Sequence, residues 1–113
     1  FRGGVYNKKA ITSKYLTLLS SSIRKPGNVY HTRNVFLNFK SWTSAKKRYQ
    51  ELKIPTTLVY GDHDWSTTKE RNDSRALMNP KNYIELLNTG HFSFLEAPES
   101  VADIIKSETK AGD

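Results

Sequence analysis

Two short apolar runs constrain this chain more than any other feature. "TTLVY", residues 56–60, is β-branched and apolar, too short for a helix, and bounded by Pro55 and Gly61. "NYIELL", residues 82–87, leads into the polar turn Asn88-Thr89-Gly90. Runs of this kind suit buried strands of a parallel sheet. Between them, Thr67 and Glu70 have the spacing of a capping box, and Ala76, Leu77 and Met78 supply a helical apolar face before Asn79-Pro80 stops it. Beyond the second run, Pro98 sits where a first helical turn tolerates proline. Val101, Ala102, Ile104 and Ile105 then form a last helical stripe, with the residues from Glu108 onward expected to fray. Helix alternating with strand predicts an α/β layer. Two apolar strands alone would leave their edges unpaired, which predicts neighbouring strands outside this sequence. With Phe1 where a start methionine would stand, the expectation is a fragment of a longer protein.

The stretch before Pro55 obeys a different period. Ile11, Tyr15, Leu18, Leu19 and Ile23 recur at helical steps until "KPGN" ends the run. Val29, Val35, Phe36, Phe39, Trp42, Ala45, Tyr49 and Leu52 continue the spacing, with an interruption expected near Ser41. The run closes at Ile54-Pro55, because a residue before proline is pushed out of helical geometry. Residues 1–53 therefore read as two or three helices and residues 54–113 as the strand-bearing part.

Charge divides the chain at the same place. Residues 1–53 hold 12 of the 18 Lys and Arg and a single acid, Glu51, whereas residues 54–113 carry six basic and ten acidic side chains. A basic half is compatible with nucleic acid or an anionic membrane, but also with a solvated surface or an acidic neighbour. No window approaches the roughly 18 apolar residues that a membrane span needs. The absence of cysteine removes disulfides and thiolate chemistry from the chain and is compatible with a reducing compartment. Together these lead to the expectation of a soluble, intracellular protein without a membrane span.

The ionisable groups that invite chemistry follow the two runs. Asp62, His63 and Asp64 come directly after the first and His91 after the second, and in open α/β sheets functional groups collect beyond the carboxyl ends of strands. A carboxylate held against one ring nitrogen of a histidine fixes its tautomer and stabilises its protonated form, leaving the other nitrogen to take a proton from a nucleophile. Asp64 and His91 are the candidates for these roles. Asp62 reads as a solvated loop acid, His63 as an exposed ring, and Ser66 and Ser93 as turn or capping residues. Adjacent side chains diverge and no further ligand spacing accompanies Asp62-His63-Asp64, so no metal site is expected. Trp65 and Phe92 are candidate walls of a substrate pocket. Glu96 reads as a first-turn acid favoured by the helix dipole. No Gly-x-Ser-x-Gly nucleophile turn occurs in the chain.

These residues carry a resemblance. "IPTTLVYGDHDW" followed by "LLNTGHFSFLEAPESVADII" resembles the end of an α/β-hydrolase-fold enzyme: a strand entering Gly-x-x-Asp, then Gly-His-Phe with a Glu-x-Pro helix start. The resemblance covers residues 54 to 105 well. Residues 1–53 resemble more loosely the helical cap or lid, and the linker helix, of capped members. It implies the C-terminal portion of that fold, with its last two parallel strands, flanking helices and a preceding cap domain. It further implies Asp64 as the acid and His91 as the histidine of a catalytic triad whose nucleophile lies outside this chain. The implied activity is hydrolysis of an ester or similar small apolar substrate, with no metal or organic cofactor and with the missing N-terminal part of the fold as partner. Two other readings stay open: a ligand-binding receptor or pseudo-enzyme on the same fold, and a basic nucleic-acid-binding module using residues 1–53, which the strand-end pair does not support.

Overall fold

A computed structural model describes residues 3–110. A 3-10 turn at Lys8–Ala10 leads into three helices: α1 (Ser13–Ile23), α2 (Asn28–Leu37) and α3 (Phe39–Ala45). Thr12 caps α1, its Oγ1 accepting the Tyr15 N–H at 3.1 Å, and Gly27, at φ 82°, turns the chain into α2. The left-handed φ at that turn is one a residue with a Cβ adopts at a cost. The expected interruption near Ser41 falls instead at Asn38. Its Nδ2 donates to the Asn34 carbonyl at 2.8 Å, a local side-chain bond that competes with continuation of the helix. Lys46–Glu51 then tightens into 3-10 geometry before the extended stretch at Pro55.

The strands are β1 (Thr57–Gly61) and β2 (Asn82–Leu86). They pair in parallel, with Thr57 opposite Asn82 and Gly61 opposite Leu86, so the two carboxyl ends lie side by side. Helix α4 (Thr68–Met78) joins them. Its capping box is complete: Thr67 Oγ1 accepts the Glu70 N–H, and the Glu70 carboxylate accepts the Thr67 N–H at 2.7 Å. Asn79 ends the helix in left-handed geometry at φ 44°, directly before Pro80. The one-turn α5 (Ser93–Glu96) follows the second strand-end loop, and α6 (Pro98–Lys110) begins at the proline as the sequence predicts. Residues 108–110, expected to fray, stay helical, and Asn82 Nδ2 donates to Glu108 Oε1 at 2.9 Å, tying that turn to the start of β2; residues 111–113 of the expected tail lie outside the described residues.

Burial is concentrated beside the strand ends. Gly4, Val5, Gly61, Thr89 and Gly90 are all buried, and among the described residues Val5 is the buried apolar side chain. Helices α1, α2 and α3 have no buried residue, and Val29, Tyr30, Phe36, Leu37 and Phe39 stand well exposed on them. No described helix is long and apolar enough to cross a membrane.

Candidate active site

The two strand ends are held together by backbone contacts before any functional side chain is added. The Asp62 N–H donates to the Leu86 carbonyl and the His63 N–H to the Thr89 carbonyl, each at 3.0 Å. Gly61 makes this approach possible, because a Cβ there would collide with the carbonyl oxygens of Thr89 and Gly90. Asp62 adds a side-chain tie, its Oδ1 accepting the Thr89 N–H at 3.0 Å. That bond is the main cause of a carboxyl pKa below its ordinary value. The solvated loop acid expected at Asp62 is therefore a cross-link between the two strand-end loops, a role invisible without knowing which loop lies opposite. The His63 ring is exposed as expected, and it stacks on Tyr6 with ring centroids 4.0 Å apart.

This junction brings Asp64 and His91 together. Asp64 Oδ2 lies 2.9 Å from His91 Nδ1, within hydrogen-bond reach. The Asp64 side chain is 4% exposed and that of His91 40%. The other carboxylate oxygen, Oδ1, accepts both the N–H and the Oγ–H of Ser66, each at 2.7 Å. Burial pushes the Asp64 pKa up, but the two Ser66 bonds and the bond to His91 outweigh it and hold the group below its ordinary value. Asp64 is thus an ionised acceptor fixed on both sides. Ser66 is the turn residue the sequence predicts, with an added function: its hydroxyl orients the acid. Asp followed two residues later by Ser is the local signal, since a carboxylate readily closes a turn onto the N–H two positions on. Arg71, buried on α4, donates to the Ser66 carbonyl at 2.6 Å and fixes the same turn from below.

Aromatic rings frame the histidine. Trp65 lies over the His91 ring at 4.0 Å between centroids and 24° between planes. Phe92 meets His91 edge-on at 5.3 Å and Trp65 at 5.6 Å. Both candidate wall residues therefore adjoin the dyad, with Trp65 exposed and Phe92 half-buried. With Nδ1 directed to Asp64, Nε2 is the ring nitrogen left over from that bond. Ser93 opens α5 and lines a groove of about 290 Å³ with Val59, Val101 and Ile104.

Glu96 lies in the first turn of α5, as the sequence predicts. It is more than a first-turn acid, because its two oxygens accept the Asn7 N–H at 2.6 Å and the Gly90 N–H at 2.7 Å. No group of three or more His, Cys, Asp or Glu among the described residues could hold a metal ion.

A family model described as alpha/beta hydrolase fold matches residues 3–98. Neither curated proteins nor solved structures give a match. The matched span takes in most of the chain, including both strands and both dyad residues, and the chain belongs to the alpha/beta hydrolase fold family.

Proposed function

We propose that this member of the family contributes the histidine and the acid of a nucleophile-His-acid triad for hydrolysis of an ester or a similar small apolar substrate. The observation that carries the reading is the bond between His91 Nδ1 and the 4%-exposed carboxylate of Asp64. In this reading Asp64 holds the imidazole in the Nδ1–H tautomer. Nε2 takes the proton of the attacking nucleophile, and the imidazolium then returns it to the leaving group. Asp64 stays ionised throughout and offsets the charge that forms on the ring. The nucleophile comes from outside these 113 residues, so the chain alone is inactive. Residues 1–53 serve as the cap and linker, and residues 54–113 as the C-terminal part of the core. Trp65 and Phe92 present an apolar wall to the substrate.

The test is hydrolysis of p-nitrophenyl acetate and butyrate by the product of the full reading frame, followed against pH, with His91→Ala alongside. Turnover that His91→Ala abolishes supports the reading. A full-length product with no nucleophile turn and no turnover would instead assign the site to ligand binding without chemistry.

A further inference from the structure

Residues 4–7 form an arm that crosses both strand-end loops. Gly4 packs so closely beneath the aromatic frame that a Cβ there would come within 2.5 Å of the Phe92 ring and 2.7 Å of Trp65. Its carbonyl accepts the Phe92 N–H at 3.2 Å, and Tyr6 lies on His63. A Cβ on Gly90, the residue before His91, would stand 2.6 Å from the Gly4 carbonyl oxygen and 2.8 Å from the Tyr6 nitrogen. The arm and the histidine loop are thus in backbone contact at the point where the histidine is launched.

Where that contact is made, a single carboxylate joins the two segments. Glu96 Oε1 accepts from Asn7 N–H, 89 residues away in the chain, and Oε2 from Gly90 N–H. Charged acceptors make shorter and stronger bonds than neutral ones, and each oxygen here serves one backbone donor. Neutralising the group to an amide would leave one acceptor and place an N–H₂ against the other donor.

We propose that Glu96 is a positioning residue for His91, acting as a clasp that fixes the loop carrying the histidine against the arm of residues 4–7. The proposal rests on the reading of Asp64 and His91 as a working pair. Glu96 touches no reacting atom; it acts through the Gly90 backbone on the direction in which the His91 ring leaves the chain. Releasing the clasp leaves β1 and β2 paired but lets His91 swing off Asp64.

The experiment compares the wild-type chain with Glu96→Gln, Glu96→Ala and Asn7→Pro by amide hydrogen exchange and by the ring ¹⁵N signals of His91. Asn7→Pro deletes the arm's donor and leaves Glu96 in place but also removes the Asn7 cap on the Lys9 N–H. Asn7→Ala, which loses that cap and keeps the N–H, is its control, and the pair decides the matter if the Glu96 variants fail to fold. Glu99→Gln, on the exposed start of α6, is the control and leaves both readouts as in the wild type. The expected result is faster exchange at Gly90, by about tenfold or more, with the Asp62 amide, which donates to Leu86 just beyond β1, unaffected. The His91 signals should move from one Nδ1–H tautomer to a mixture. In the full-length product, kcat falls by about tenfold while KM stays nearly constant, as expected when a reacting group is misplaced. Unchanged exchange at Gly90 would overturn the clasp. Faster exchange with unchanged His91 signals would reduce Glu96 to a structural tie and overturn the positioning role. Asp64→Asn separates the two levels: if it leaves the His91 signals unchanged, the reading of the dyad fails whatever Glu96 does.

Discussion

Oδ2 of Asp64 and Nδ1 of His91 meet at 2.9 Å across 27 residues of chain, one side chain buried and the other open to the surface. The asymmetry matters chemically. A shielded carboxylate that already accepts two bonds from Ser66 has little freedom to reorient, so a partly exposed histidine is held by a fixed acceptor.

Acid should weaken the fold through Asp64. The bonds from Ser66 and His91 place its folded-state pKa below the ordinary 3.8, so as pH falls the unfolded chain takes up the proton first. The stabilisation is complete above 3.8 and is lost as pH drops through the folded-state value. Asp62, lowered chiefly by the Thr89 N–H, adds to the effect in the same direction. Urea midpoints measured between pH 7 and pH 2 should therefore fall with acidity, and Asp64→Asn should flatten part of that fall. An unaltered pH dependence in the variant would contradict the assignment.

Gly61→Ala should be costly despite adding one methyl group. The new carbon would overlap two backbone carbonyls in the opposite loop, which no rotamer change can relieve. Overpacking of this kind costs about 1–3 kcal/mol, read as a lowered denaturation midpoint. Displacement of the Thr89-Gly90 segment should also disturb the His91 ring signals, and a variant as stable as the wild type would show that the strand ends are farther apart than described.

Trp65→Ala should loosen His91 without unfolding the chain. Trp65 is 58% exposed, so its loss removes mainly its ring contacts with His91 and Phe92, and aromatic pairs contribute about 0.5–1.5 kcal/mol beyond area burial. Trp65→Phe should restore part of the loss. Trp42, the other tryptophan, contacts Phe39 on α3, so a change in fluorescence on His91→Ala that survives in a Trp42→Phe background would come from Trp65. No change there would place the two rings apart.

Much of this architecture was legible because local chemistry dictated it. The β-branched run before Gly61, the Thr67 to Glu70 box and Pro98 each define an element boundary by physics that acts within a few residues, and the structure places those boundaries within about one residue of expectation. Asp64 and His91 could be paired because each follows a strand and parallel neighbours bring such positions together. The ties made by Asp62 and Glu96 escape the sequence for the complementary reason. Their partners, Thr89, Gly90 and Asn7, are backbone N–H groups, which every residue but proline carries, so no side-chain pattern points to them. The break at Asn38 was misplaced because apolar periodicity runs through it unaltered, and the side-chain bond to the Asn34 carbonyl that favours it leaves no mark on that pattern.

Asp64→Asn is the sharpest probe of the proposed pair, in which Asp64 sets the tautomer of His91. The variant keeps the shape of the side chain but can present an N–H₂ to Nδ1, which forces the ring into the opposite tautomer. Steady-state ester hydrolysis by the full-length product should lose on the order of 10⁴-fold in kcat, as the same exchange does in the serine-protease triad. Wild-type turnover in Asp64→Asn would mean that Asp64 plays no part in the chemistry of His91.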